Sequence, residues 1–252
     1  MPHPAQERPL DIRCDDLILR GGVCLPEKAR GVVVLLHGIP SVAPSEEGDE
    51  GYAGLARVFA AHGWAAAWAD MRAARSSPGS FSIEGWVRDA LAIVSTVRAL
   101  DGLGEVPMCL VGSSAGGAVS AAAVQRGAPV QALVLLAAPA DWSSFAADPW
   151  EGLRRIQEDS GMRLSVETLA DPTGWAGEFE SVATEECVRG LELPALVLHG
   201  SEDDVVPLDH SHRIASAAQR ARLVVIGGGD HQLRRNHAAV RVVLDWLRET
   251  FP

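Results

Sequence analysis

Lysine is almost missing from this chain: of its 22 basic residues only Lys28 is a lysine, against 33 acidic ones, and the formal net charge over 252 residues is −11. Binding to phosphate backbones needs a Lys/Arg-rich face, so this balance argues against a nucleic-acid partner and equally against anionic membrane surfaces. No stretch reaches the roughly 18 consecutive apolar residues that a bilayer span requires. The start, Met1 to Leu10, lacks the charged-then-apolar pattern of a secretory signal, and a cytoplasmic address is expected. The four cysteines, Cys14, Cys24, Cys109 and Cys187, form no CxxC pair and have no histidine at metal-ligand spacing, so they read as reduced and structural. There is no G-x-x-x-x-G-K-[ST] phosphate loop, no H-E-x-x-H and no dinucleotide fingerprint; neither a metal nor a cofactor is expected.

What is present is a chain that is 47% apolar and 22% charged, long enough for one buried core of α/β size. Gly-Val-Val-Val-Leu-Leu at 31–36 is a continuous β-branched run, the signature of a strand covered on both faces. Similar runs at 65–70, 108–112, 132–137, 195–199 and 223–226 each end where Gly, Asp or His begins. Between them Trp86, Ala90, Ile93, Val94 and Val97 share one helical face, and Val240, Val243, Leu244 and Leu247 repeat the spacing. Residues 16–20 and 23–25, joined through Gly21-Gly22, read as an edge hairpin. This alternation predicts a mostly parallel sheet with helices on both faces, carrying its chemistry at the C-terminal strand ends. Residues 141–190 break the rhythm, and about 50 residues rarely make a core of their own. They are read as a small helical cap inserted into a single domain spanning 1–252.

Gly112-Ser-Ser-Ala-Gly116 follows a strand and precedes an Ala/Val helix, the context that G-x-S-x-G requires. The serine must occupy a strained turn, so the residues two before and two after it need to lack side chains. Ser114 is therefore the candidate nucleophile, rather than Ser113. A serine hydroxyl needs a base, and the base an orienting carboxylate. Asp203 and His231 follow at later strand ends in the order Ser, Asp, His. Asp203 is preferred over Glu202 and Asp204, one of which reads as a cap, and over Asp230, which abuts the base. His210 and His212 read as a solvated helix start, and His199 as a strand tail. For an oxyanion hole, the loop His37-Gly-Ile-Pro40 offers the Ile39 N–H, paired with that of Ala115, while His37 orients the loop.

Together, His37-Gly38, Gly112-Ser-Ser-Ala-Gly-Gly117, His199-Gly-Ser-Glu-Asp-Asp-Val-Val-Pro207 and Gly229-Asp-His231 resemble the α/β-hydrolase superfamily from about Asp16 onward. In that family the position held by Asp203 is the triad acid. The strings are also similar to small acyl-ester and thioester hydrolases, including depalmitoylase-like and feruloyl-esterase-like members. One departure is Asp70-Met-Arg-Ala-Ala-Arg-Ser-Ser77, with Ala73 and Arg75 where the family usually has glycines. Arg72 or Arg75 there reads either as a surface salt bridge or as a contact to an anionic substrate. Glu46, Glu47, Asp49 and Glu50 in the loop at 39–51 read as a solvated acidic rim. The resemblance implies a serine hydrolase of carboxylic esters acting on small acyl substrates. In the cap, Trp142, Phe145, Trp150, Leu153, Trp175 and Phe179 either line an acyl pocket or pack the cap itself, with Trp142, Phe145 and Trp150 as the candidate substrate contacts. An acyl thioesterase, a serine peptidase and a non-catalytic binder of the same fold are the alternatives.

Overall fold

The computed structural model describes residues 5–44 and 47–252, the side chains of Ser144 and Ala146 excepted. Residues 1–4 of the start and Glu46 of the acidic loop, both read above, lie outside them.

In chain order the elements are β1 (Gln6–Cys14), β2 (Leu17–Leu25), β3 (Val32–Leu36), α1 (Gly51–Ala61), β4 (Ala65–Ala69), α2 (Ile83–Arg98), β5 (Met108–Ser113), α3 (Ala115–Gln125) and β6 (Ala132–Leu136). Then come five short helices, α4 (Ser143–Ala147), α5 (Pro149–Arg154), α6 (Val166–Ala170), α7 (Pro172–Glu178) and α8 (Thr184–Val188), with a π turn at Arg155–Asp159. Strand β7 (Ala195–Gly200), α9 (Leu208–Ala217), β8 (Ala221–Ile226) and α10 (His237–Thr250) complete the chain. The strands form one sheet in the order β1-β2-β4-β3-β5-β6-β7-β8. Pairing is parallel from β4 through to β8 and antiparallel for β1 and β2.

The continuous apolar runs of β3 to β7 are buried because both sheet faces are covered there, whereas the run at 223–226 lies in the edge strand β8 and is only partly covered, with Val225 42% exposed. In β3, Val32, Val34 and Leu36 pack with Trp86, Ile93 and Val119 of α2 and α3, while Val33 and Leu35 turn to Phe59 of α1 and Leu247 of α10. The helical face read from 86 to 97 is the buried face of α2, whose start is capped by Ser82 accepting from the Gly85 N–H at 3.0 Å.

The edge hairpin is built differently from the reading above. Its turn lies at Asp15-Asp16, with Asp15 at φ +51°, and the missed strand β1 pairs with β2 along its whole length. Gly21-Gly22 sits inside β2, paired with Ala69 and Trp68 of β4. A Cβ on Gly21 would come within 2.1 Å of the Trp68 carbonyl oxygen, and one on Gly22 within 2.6 Å of the Trp68 ring. These glycines mark close strand approach, not a turn.

The helical excursion between β6 and β7 covers the read insertion. Its aromatic residues gather on themselves, Trp142, Phe145 and Trp175 all lying 4.9–5.1 Å from Phe179 between ring centroids. Among the described residues no helix is long and apolar enough to cross a membrane.

Candidate active site

Strand β5 delivers Ser114 to the turn before α3. Its backbone sits at φ +52°, ψ −124°, a left-handed conformation that costs a residue with a Cβ on the order of 1–3 kcal/mol. The turn is tight enough that side chains are excluded around it. A Cβ on Gly112 would meet the Gly116 carbonyl at 2.3 Å, and one on Gly116 would meet the Leu36 and His37 carbonyls at 2.4 Å. Gly38 matters as much: a Cβ there would lie 2.9 Å from that of Ser114, so the loop after β3 can pass directly over the serine only as glycine.

Beside the serine, Ala115 is the first residue of α3 and its N–H has no acceptor within the helix. The Ile39 N–H likewise has no backbone acceptor among the described residues. His37 fixes this loop. It is buried, its Nδ1–H donates to the Gly38 carbonyl at 2.7 Å, and its Nε2 accepts the Met71 N–H at 2.9 Å. Burial, followed by the charge of Arg75, lowers its pKa to about 4, so the ring is neutral.

The loops after β7 and β8 bring Asp203 and His231 together, His231 Nδ1 lying 2.8 Å from Asp203 Oδ2. Burial alone would raise the Asp203 pKa. Hydrogen bonds from His199, His231 and the Val206 N–H outweigh it and hold the carboxyl well below the usual carboxylate range. With Nδ1 donating to this carboxylate, Nε2 of His231 is the ring's free base. Ser114 and His231 line the same cavities, although among the described residues no hydrogen bond joins them. In unliganded sites such contacts are often long. Asp230 turns away, accepting the Gln232 N–H at 2.8 Å, while Glu202 and Asp204 are exposed.

His199 has more to do than end a strand. Fully buried, it places Nε2 2.8 Å from the Val206 carbonyl and 3.2 Å from Asp203 Oδ2, while Ser211 Oγ lies 2.6 Å from Nδ1. A carbonyl only accepts, so the proton sits on Nε2 and Ser211 donates to Nδ1. Asp203 is thus held from both sides by imidazoles, a pairing signalled in the sequence by His and Asp four residues apart. His210 is also not simply solvated: Nδ1 accepts the Ala140 N–H at 2.9 Å, whereas His212 is exposed.

Two cavities open from the serine. One of about 570 Å³ is walled by Trp142, Phe145 and Ile156 together with Ile39 and Ala115. Trp175, Phe179 and Leu153 are core packing of the excursion. Trp150 is 66% exposed and lines neither cavity, because it points outward from the first turn of α5; the expected contact is not formed. The second cavity, about 300 Å³, is polar, with Tyr52, Arg75 and Asp49 among its walls. Tyr52, the chain's one tyrosine, had no signal in the sequence. Asp49 is not a solvated rim residue: Arg234 holds it bidentately at 2.7 and 2.5 Å, which lowers its pKa to about 2. Arg72 is no surface salt bridge either. It is buried against the fully buried Asp89, NH2 to Oδ1 at 2.7 Å, with a further pair to Asp15.

Residues 27–183 match the family described as serine aminopeptidase, S33. The human protein ABHD12B is 29% identical over 171 residues, 66% of this chain and 45% of that protein, so the chain spans a little under half the length of this relative. The 2-hydroxy-6-oxo-2,4-heptadienoate hydrolase of Pseudomonas putida is 26% identical over 204 residues, covering 66% of this chain and 71% of that enzyme. Among solved structures, Est1E from Butyrivibrio proteoclasticus with ferulic acid bound superposes with a TM-score of 0.71 at 22% identity, over 96% of this chain and 98% of that one. At that identity the superposition speaks for the fold, and the family match reaches further: the chain belongs to the serine aminopeptidase S33 family, within the α/β-hydrolase superfamily.

Proposed function

We propose that this protein is a cofactor-free serine hydrolase of carboxylic esters, working through an acyl-enzyme on Ser114. The observation that carries the reading is the convergence of Ser114 and His231 on shared cavities, with His231 held by Asp203 at 2.8 Å. Ser114 Oγ attacks the acyl carbon as its proton passes to His231 Nε2, and Asp203 stabilises the imidazolium. The Ile39 and Ala115 N–H groups hold the oxyanion. Collapse expels the alcohol, which takes its proton from His231. Water, deprotonated by the same imidazole, then releases the acid and restores the serine. Residues 141–190 act as a cap on a single domain, and Trp142 and Phe145 contact the acyl group. Four free, buried cysteines are in keeping with a reducing, cytoplasmic setting.

The family's description makes a peptidase the second reading. An aminopeptidase must hold its substrate's α-ammonium near the scissile bond, which calls for an uncommitted carboxylate. The two that face the apolar cavity, Asp141 and Asp159, pair with Arg213 and Arg154. A thioester would need no added machinery, since a thiolate leaves readily.

Hydrolysis of p-nitrophenyl esters from acetyl to palmitoyl, beside aminoacyl p-nitroanilides, tests the assignment. Turnover of esters should fall by about a thousandfold or more in Ser114→Ala, and the preferred chain length should report the depth of the apolar cavity. Ester turnover that survives the substitution, or preferential cleavage of the anilides, would overturn the ester reading.

A further inference from the structure

The two cavities that meet at Ser114 differ in charge. The apolar one takes its walls from the cap, while the smaller one collects Arg75, Arg234 and Arg235 against the carboxylate of Asp49, in a chain whose net charge is −11. Arg234 is fixed by its bidentate pair with Asp49 and by stacking over Tyr52, 5.3 Å from its ring centroid. Arg75 is held far more loosely. Its ion pair, NH1 to Asp70 Oδ1, is 3.4 Å long, and that carboxylate already accepts from the Ser76 hydroxyl at 2.7 Å. Its Nε and NH2 donate to no protein group among the described residues. A guanidinium with one edge undirected, on the wall of a cavity that contains the serine, is built to receive a planar oxyanion bidentately.

The backbone gives a second, independent sign. Arg75 sits at φ +43° and Ala73 at φ +65°, left-handed conformations that glycine adopts without strain and residues with a Cβ do not. Glycine at 75 would relieve that strain and leave the cavity without this loosely paired cation. The side of the ester that departs here follows from Ala115: of the two oxyanion donors it lines only the apolar cavity, whereas Ile39 and His231 line both. The acyl group then lies with the oxyanion donor in the apolar cavity, and the alcohol leaves into the basic one, with His231 between them to protonate it.

We propose that the basic cavity is a leaving-group site for alcohols that carry a carboxylate, with Arg75 as the residue that selects for the anion. Which half of the ester enters rests on the serine-hydrolase reading above; the anion site itself does not. The test compares kcat/KM for 4-carboxyphenyl butyrate, phenyl butyrate and phenyl hemisuccinate, the last carrying its charge on the acyl side. Arg75→Met should lower the ratio of the first to the second by about tenfold, Arg75→Lys should retain part of it, and 0.5 M salt should erode it in the unaltered protein. A ratio indifferent to Arg75, or a loss falling on phenyl hemisuccinate instead, overturns the proposal. Calorimetry with 4-hydroxybenzoate, on Ser114→Ala with and without Arg75→Met, separates the two readings. Binding that weakens about tenfold in the double variant supports the anion site even if no ester is turned over, in which case the hydrolase reading falls alone. Equal binding in both proteins, or none in either, removes the site.

Discussion

At the scale of single residues, the site's geometry turns on small groups where a side chain would intrude and on imidazoles whose two nitrogens have different duties. Three histidines at or just after strand ends are in different states of commitment. His231 has one nitrogen on Asp203 and one free, His37 has both nitrogens on backbone, and His199 divides its Nε2–H between the Val206 carbonyl and Asp203. On the proposed mechanism the last arrangement makes His199 a positioning residue for the carboxylate that orients the base. His199→Leu should therefore lower kcat about tenfold with little change in KM, the size expected for one hydrogen bond to a charged group. His199→Gln, whose amide can still donate, should restore most of the loss. Steady-state kinetics on one ester decide it, and equal losses in both variants, or a loss confined to KM, would count against the role. The placing of Ser114, Asp203 and His231 after strand ends was legible in the sequence because each follows an apolar run and is flanked by glycine or turn residues. The part played by His199 was not read, since its one sign, an aspartate four residues on, carries no weight until the two side chains are placed.

At the scale of elements, the parallel strands and the long helices were readable because burial on two faces or on one stripe imposes a period on the sequence. What escaped was set by pairing and not by period. Strand β1 alternates exposed and buried positions only over its second half, and Gly21-Gly22 carries the same letters whether the chain turns there or packs against Trp68. The loop after β4 is the clearer case. Its departure from the usual glycines suggested a reshaped loop, yet nothing in the string revealed that Arg72 turns inward to Asp89 on α2, while Trp86 Nε1–H donates to the Arg72 carbonyl at 2.9 Å. This clamp fixes the base of the segment that carries Arg75. Removing one partner of a buried pair leaves the other poorly compensated, Arg72 then keeping only the half-exposed Asp15, so Asp89→Ala should cost about 3–5 kcal/mol. In a chain of this size that lowers the thermal midpoint by roughly 10 °C. Replacing both partners, Arg72→Met with Asp89→Leu, should recover much of the loss because no charge is then stranded. Thermal unfolding of the single and double variants checks both claims, and a single-variant shift under about 2 °C would show that the clamp is not structural.

At the scale of the whole molecule, one buried histidine ties folding to pH. His37 lies beneath the loop over Ser114, 2% exposed, and its ring must stay neutral because Nε2 accepts the Met71 N–H. Its pKa falls from the ordinary 6.5 to about 4 on folding, with burial as the leading cause. Between those values the unfolded chain binds a proton that the folded chain does not, so stability rises with pH across the window and is lost as pH falls through it. The full gap corresponds to about 3 kcal/mol, all of it present above pH 6.5 or so and gone near pH 4. The low carboxyl pKa values act in the same sense but later, since Asp49 and Asp141, held at about 2, part from their unfolded values only below about pH 4. His210, also lowered by burial, adds to the slope in the upper window. Urea unfolding at pH 7.5, 6.5 and 5.5 should thus show a progressive fall in midpoint before the carboxylates titrate appreciably. His37→Gln, whose side-chain oxygen can still accept the Met71 N–H but takes up no proton, should flatten that fall while leaving the His210 contribution in place. Parallel slopes in the two proteins would mean that the acid sensitivity originates elsewhere and that the His37 ring is not its cause.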